Sequence, residues 1–403
     1  MTEVGVIPED WEINSFKDVS WVNQGLQIAI EKRLKRPTQK SKKYITIQFL
    51  NNSKEVEYID NYVDSVCCNK DDVLMTRTGN TGIVVTGVEG VFHNNFFKIN
   101  FDRKRINKDY LVYYLNQSKL KEIILIKAGT STIPDLNHND FYSIPIVLPK
   151  LSEQKAIVEA LSDIDNLITS LEKLIDKKQK IKQGTMQQLL TGKKRLPGFT
   201  GEWEVKKLGD LGEISAAGVD KKINPNEMKV RLLNFLDVYH KDFIYSKDLW
   251  HEVTSPKTKL ERCAIRKGDV FFTPSSEMRN DIAFTAVSME DINDAVYSYH
   301  VVRFRFREKW DLKFKSYIFK TRFFFNQAET FCEGSGKRYV ISLKKFRELE
   351  IYYPIDLKEQ QAIANILYDM DSEIEALEKK LEKYKAIKQG MMQELLTGRI
   401  RLV

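Results

Sequence analysis

The sequence predicts an α+β chain built twice. Two similar mixed α/β globular segments are each followed by a long coiled-coil helix, and the two helices pair antiparallel in a pseudo-twofold, pseudo-cyclic internal repeat. Three observations predict this. The stretch LSEQKAIVEALSDIDNLITSLEKLIDKKQKIKQGTMQQLLTG, from Leu151 to Gly192, returns from Leu357 to Gly398 as LKEQQAIANILYDMDSEIEALEKKLEKYKAIKQGMMQELLTG, at a constant offset of 206. Within both copies the apolar residues step by alternating fours and threes. What precedes each copy carries strand and turn chemistry, with shared punctuation and divergent filling. A repeat of this kind sets the whole architecture. It divides the chain into a first globular domain (1–150), a central long helix (151–196), a second globular domain (197–356) and a C-terminal long helix (357–403).

In the first domain, YITIQFL (44–50), DVLMTRTG (72–79), GIVVTGV (82–88) and FFKINF (96–101) are rich in β-branched and aromatic residues and read as strands. Gly79-Asn80 and Glu89-Gly90 are the turn signals between them. DYLVYYLNQSKLKEIILI (109–126) reads as a helix pair or one bent helix, followed by a turn at Gly129 and the strand-like SIPIVLP. The second domain repeats this plan with other residues. GDVFFTPSS stands where DDVLMTRTG stands, VYSYHVVRF (296–304) matches VFHNNFFKI (91–99), and Trp203 matches Trp11. Both tryptophans are expected to pack domain onto helix.

The helical seam is Ile157, Leu161, Ile164, Ile168, Leu171 and Ile175 in the first copy. In the second it is Ile363, Leu367, Met370, Ile374, Leu377 and Leu381. Such spacing is that of a coiled coil. Ser152, and Asp356 with Glu359, are the N-terminal capping candidates, and Thr191-Gly192 and Thr397-Gly398 the C-terminal stops. Gly184 and Gly390, repeated at one site, suggest a kink or a close helix approach. A helix of about 40 residues spans roughly 60 Å, and an apolar stripe of that length needs a partner, which the other copy supplies. TGRIRLV at the end mirrors TGKKRLPGF, as though Val403 ran on into Val6-Ile7-Pro8.

Apolar residues make up 42% and charged residues 30%, which is a globular composition rather than a disordered one. The formal net charge of +8 favours a polyanionic partner. The N-terminus lacks the basic and apolar regions of a signal peptide, and no apolar stretch approaches 20 residues. Four cysteines without a CxxC pair read as free thiols of a cytoplasmic protein. No phosphate-binding loop, HExxH, His/Cys ligand cluster, dinucleotide fingerprint or GxSxG is present. Asp135, Glu153 and Lys155 have the residue types of a nuclease metal site. The repeat argues against that reading, because Glu359-Gln360-Gln361 stands at the equivalent helix start without the lysine. First-turn carboxylates are expected there for the helix dipole. The chain is therefore expected to be non-catalytic, with no metal site.

Each half closes with a similar phrase, IPIVLPKLSEQ and more loosely IYYPIDLKEQ. Each then runs through a heptad helix to KIKQGTMQQLLTGKKRLPGF or AIKQGMMQELLTGRIRL. As a twofold set these residues resemble the specificity subunit of type I restriction–modification systems (HsdS), across essentially the whole chain. One departure is Tyr353-Pro354 where the first half has Leu148-Pro149. The resemblance implies that each globular segment is a target recognition domain reading one half of a bipartite, asymmetric site in double-stranded DNA. It implies that the paired helices set the spacer and dock two methyltransferase subunits, which restriction subunits join. S-adenosylmethionine, ATP and Mg2+ would then belong to those partners. Two reading domains on such a spacer would address half-sites about one duplex turn, roughly 34 Å, apart. Adding or removing residues in the Thr191–Gly198 connection is expected to change the spacer and not the half-site sequences.

The candidate DNA contacts follow from residue chemistry. In the first domain Lys35, Arg36, Lys40, Lys42 and Lys43 form a run suited to phosphates. Arg77, with Thr78, is placed to read guanine and Asn80 adenine, beside Thr130, Ser131 and Thr132. The bland alternative is a type I′ turn at Gly79-Asn80 with an exposed arginine. In the second domain the candidates are Lys221, Lys222 and Asn224 for the backbone, Ser275, Ser276, Arg279 and Asn280 in the loop matching Arg77, and Lys337, Arg338 and Tyr339. His93, Asn94 and Asn95, and Tyr297, Ser298, Tyr299 and His300, rank below the loops as buried hydrogen-bonding residues of strands. The lysines at 177, 178, 180 and 182 read as a solvated or docking face. A competing class, a coiled-coil assembly scaffold that binds no DNA, predicts no salt-dependent, sequence-specific DNA binding.

Overall fold

The computed structural model describes residues 7–51, 56–129 and 133–402, so Val6 and Val403 at the proposed circular join lie outside the described residues. The chain forms two compact units, Met1–Glu172 with Lys380–Val403, and Lys173–Lys379. Each contains one globular domain and a stretch of both long helices.

In the first unit an antiparallel sheet runs in the order Ser20–Gln24, Phe96–Phe101, Val73–Thr76, Val84–Val85. A second sheet orders Tyr58–Ile59, Lys42–Ile45, Gly90–Phe92 and Cys67–Cys68, with its central pair parallel. Val73–Thr76 is buried along its whole length because both faces are covered. Val73 and Met75 meet Phe97, Ile99, Tyr110 and Phe141 on one side, while Leu74 meets Ile45, Phe92 and Phe96 on the other. The strand expected over YITIQFL stops at Ile45. Thr46 Oγ1 accepts the Phe49 amide at 3.1 Å and starts the short helix Ile47–Asn51. The 109–126 region is a helix pair, Lys108–Leu115 and Ser118–Ala128.

The second unit follows the same plan. One sheet orders Gly212–Ser215, Val302–Phe306, Val270–Phe272, Thr285–Ser288 and Phe243–Ile244. The other orders Glu252–Ser255, Met228–Leu233, Ile292–Tyr297 and Ala264–Ile265, again with a parallel central pair. A small sheet of Ser275–Ser276, Arg338–Val340 and Glu333–Ser335 is added.

Two uninterrupted helices of 39 residues, Leu151–Leu189 and Leu357–Leu395, complete both units. Ten of the twelve seam positions are buried, Met370 and Leu377 partly so. Ile157 and Leu161 enter the core of the first domain, and Ile363 and Leu367 that of the second. Within each unit the helices run antiparallel. In the first, Asp165 pairs with Lys388 at 2.6 Å and Glu172 with Lys385 at 3.3 Å. In the second, Lys178 pairs with Glu373 at 2.6 Å and Lys182 with Asp371. Gly184 and Gly390 face open space, so neither marks a close helix approach. Lys178 and Lys182 bridge the helices rather than forming a solvated face.

The ends of the helices interlock through a motif present twice. Gly192 (φ +65°) and Gly398 (φ +71°) turn the chain out of each helix, closed by Lys194 N–H to Gln188 C=O and Ile400 N–H to Glu394 C=O. Three residues after each glycine an arginine reaches the first turn of the other helix. Arg401 grips Glu153 through two bonds of 2.5 and 2.9 Å, and Arg195 grips Glu359 at 2.6 and 2.7 Å. Trp11 Nε1 donates to Glu153 at 3.1 Å, and Arg401 also takes Asp10 at 2.9 Å. Arg401 and Arg195 lie over the rings of Trp11 and Trp203. Glu153 and Glu359 are only 5% and 1% exposed. They are therefore ion-pair anchors, beyond the dipole role expected of Glu153 and the capping role expected of Glu359. Ser152 lies inside the helix, which begins at Leu151, and Asp356 Oδ1 accepts the Lys358 amide at 2.8 Å.

The next residue is pinned as well. Gln154 donates to the carbonyls of Arg105 (2.8 Å) and Pro149 (2.9 Å) and accepts the Asn107 amide at 2.8 Å. Gln360 donates to Pro354 C=O at 2.9 Å and accepts the Asp311 amide at 3.1 Å. A tyrosine–aspartate–lysine set then ties each domain to both helices. Tyr113 donates to Asp165 at 2.9 Å and Tyr317 to Asp371 at 2.7 Å, each aspartate also holding the lysine of the opposite helix. Among the described residues no helix is long and apolar enough to cross a membrane.

Gln154→Ala and Gln360→Ala each strand buried backbone groups, so each is expected to cost about 1–3 kcal/mol. Lys180→Ala removes only an exposed pair and is expected to stay within about 0.5 kcal/mol. Urea unfolding midpoints of the three variants check this.

Candidate nucleic-acid interface

The basic run of the first unit is presented by the loop 30–41 and the strand it leads into. Leu34 bridges Tyr58, and Lys42 and Lys43 pair in register with Ile59 and Tyr58. Lys35, Arg36, Lys40, Lys42 and Lys43 are exposed, and Arg36, Lys40 and Lys43 make no ion pair among the described residues. Lys35 shares Glu57 with Arg33, at 3.0 and 2.9 Å. Burial would raise the Glu57 pKa, but hydrogen bonds from Lys35 and Arg33 hold it below the usual value. Arg33 also bonds Ile28 C=O and lies over Tyr44, which makes it an anchor for the loop. Lys42 sits 3.5 Å from Cys67 Sγ and over the Tyr62 ring.

Arg77 does not stand ready for a guanine. Its side chain is 14% exposed, pairs with Asp135 at 2.9 Å, donates to Leu136 C=O at 3.2 Å and lies over Phe97. Thr78 donates to the same Asp135. The segment 133–136 does close on this loop, with Gly79 N–H and Thr81 Oγ1 both meeting Pro134 C=O. Asn80 is the exposed member. Of Gly79 and Asn80 only Gly79 has positive φ, so the turn is not type I′, which needs it at two successive residues. Thr130, Ser131 and Thr132 lie outside the described residues. Asp135 and Glu153, the carboxylates of the nuclease alternative, are each held by an arginine in separate networks.

In the second unit the small sheet brings Ser275, Ser276, Arg338 and Tyr339 together. Ser275 is buried and accepts from Arg338 at 3.0 Å, and Ser276 donates to Asp281 at 3.1 Å, so both hydroxyls are engaged. Arg279 is exposed and lies over the Tyr339 ring at 5.3 Å. Asn280, Lys337 and Arg338 are exposed. Lys222 pairs with Asp220 at 3.0 Å, while Lys221 is exposed. The Asn224 side chain closes its own turn on the Asn226 amide instead of gripping a partner. Burial, then the charges of Arg338 and Lys221, lower the His300 pKa.

The frame beneath these surfaces is thus one scaffold present twice, and comparison with known proteins gives the same picture. The family model described as the type I restriction modification DNA specificity domain matches residues 8–183 and again residues 200–386. The chain belongs to that family. It is 27% identical over 413 residues to the MjaVIII type I restriction enzyme specificity subunit of Methanocaldococcus jannaschii, covering 98% of this chain and 94% of that one. It is 26% identical over 440 residues to the putative MjaX specificity subunit of the same organism, covering 100% and 96%. Among solved structures, the type I system S subunit from M. genitalium aligns with a TM-score of 0.56 at 14% identity, over 98% of this chain and 99% of that one. A chain from a study of type I restriction–modification complex assembly and conformational transition aligns at 0.58 and 16%, over 98% and 100%.

For a type I specificity subunit, these placements separate internally bonded side chains from exposed ones. Arg77→Ala is expected to destabilise the first unit by about 1–3 kcal/mol through the loss of charged hydrogen bonds. Arg36→Ala and Lys40→Ala are expected to leave stability unchanged within about 0.5 kcal/mol. If Arg36 and Lys40 meet phosphates, each removal lowers the slope of log affinity against log salt by about one, as DNA titrations at several salt concentrations would reveal.

Proposed function

We propose that this chain is the DNA-sequence-specificity subunit of a type I restriction–modification complex. Each globular domain reads one half of a bipartite, asymmetric site in double-stranded DNA. The observation that carries this is the duplication itself. One scaffold occurs twice, matched twice by the DNA specificity family, and the exposed loops of the two copies differ in nearly every side chain. Phosphate contacts from the exposed lysines and arginines supply affinity, and side chains at base edges supply choice. The paired helices hold the spacer and dock two methyltransferase subunits, and restriction subunits join that core.

The reaction chemistry lies with those partners, which bring S-adenosylmethionine, ATP and Mg2+. The chain confers specificity on them without catalysing a step, in the cytoplasm of a prokaryote. The Thr191–Gly198 connection contains the Gly192 turn and the Arg195 clamp. A residue inserted between those two frees Glu359, so it is expected to alter stability together with spacing.

Exchanging residues 197–356 for the matching segment of a relative tests the reading, in cells supplying the methyltransferase subunits. Mapping methylated positions is expected to show one half of the recognised sequence changed and the other retained. Change in both halves or in neither contradicts modular reading, and absence of any sequence preference returns the chain to the scaffold class.

A further inference from the structure

In each unit one strand-joining turn is seated on a glycine. Gly90–Phe92 and Phe96–Phe101 join through His93, Asn94 and Asn95. Ile292–Tyr297 and Val302–Phe306 join through the turn that begins Ser298, Tyr299, His300. Parallel bridges Leu26–His93 and Val219–Ser298 lay the chain after the edge strand along each turn. A Cβ on Gly25 would stand 2.2 Å from His93 C=O, and one on Gly218 would stand 2.3 Å from the Ser298 carbonyl carbon. No real side chain tolerates either distance, so the backbones touch and hold the turn. The side chains on it are left free to differ.

They differ in a way that suits a nucleic acid. In the second unit the Tyr299 and His300 rings lie 3.9 Å apart, and Tyr299 is 48% exposed. Lys221 and Arg338, cations from two other segments, act electrostatically on the half-buried His300 beside the exposed Tyr299. Burial, then these charges, lower the His300 pKa and so favour the neutral ring, which carries one donor and one acceptor. Asp220, the opposing carboxylate, is held by Lys222. At the same place in the first unit the half-buried Asn94 donates to Gln27 at 3.0 Å, while its own side-chain oxygen is buried without a partner. Arg77, Thr78, Ser275 and Ser276, from the loops favoured by sequence, are meanwhile committed to internal bonds.

Resting on the specificity function above, we propose that the glycine-seated turn is the base-reading element of each domain. Tyr299 and His300 meet base edges in the second, with Lys221, Lys222 and Arg338 on the flanking phosphates. Asn94, steadied by Gln27, does so in the first. A neutral imidazole and a phenol present hydrogen-bonding atoms on flat apolar bodies, and the Asn94 amide nitrogen has a second N–H to offer a base acceptor.

The test uses the full chain assembled with methyltransferase subunits and reads methylated positions across a genome. Tyr299→Ala and His300→Ala are expected to relax preference about ten-fold at one or more positions of one half-site, leaving the other intact. Asn94→Ala is expected to relax only the other half-site. Preference unchanged at every position in all three overturns the assignment of the turn while leaving the specificity function standing. A wild-type complex that methylates without sequence preference overturns both. If the alanine variants do not assemble, Tyr299→Phe and His300→Gln decide. Altered preference in one half-site supports the turn, and unchanged preference overturns it.

Discussion

The structure depends on a buried carboxylate at the start of each long helix and on the arginine that reaches it from beyond the end of the other. A heptad seam by itself is tolerant, because shifting one helix by seven residues again places apolar side chains opposite apolar side chains. Glu153 and Glu359 remove that tolerance. Losing one partner of such a pair typically costs about 3–5 kcal/mol when the remaining charge stays buried. Arg195 and Arg401 are each 28% exposed, so solvent screens part of that cost here. The tyrosine–aspartate–lysine sets repeat the constraint further along, where Asp165 and Asp371 each accept from a domain tyrosine and a lysine of the opposite helix. Because Ile157, Leu161, Ile363 and Leu367 also belong to the domain cores, the helical register and the packing of the domains are one problem.

This arrangement separates what is held from what is free to vary. The buried clamp, the pinned glutamines and the glycine seats appear in both copies and concern backbone and helix ends. The exposed residues above them share almost nothing: Lys35, Arg36 and Asn80 in one copy, Arg279, Arg338 and Tyr299 in the other. A frame that fixes its own geometry internally can change its reading side chains without refolding. An asymmetric DNA sequence asks for two different surfaces on similar supports.

Much of this was legible in the sequence, and the limits were physical. The repeat, the helix spans, the seam and the paired tryptophans follow from periodicity and spacing, which are local properties. The strand over YITIQFL was misjudged because apolar periodicity does not reveal that Thr46 caps a short helix. Arg77 looked like a free guanine reader because its partner, Asp135, lies 58 residues away. The clamp was hidden for the same reason, since Arg401 and Glu153 are 248 residues apart. Arg195 and Arg401 do recur at matching places three residues after TG, and that was the available signal. Gly25 and Gly218 carry no signal beyond being glycines, as their role exists only once the turns are folded against them.

The central claim is that each unit is closed by charge pairing between the first turn of one helix and the chain leaving the other. Reversing the charges measures it directly, through equilibrium unfolding of Arg401→Glu, Glu153→Arg and the two combined. The account predicts that each single reversal lowers the unfolding midpoint sharply and that the double variant recovers a large part of the loss. Additive destabilisation in the double variant, or single reversals without effect, would contradict it.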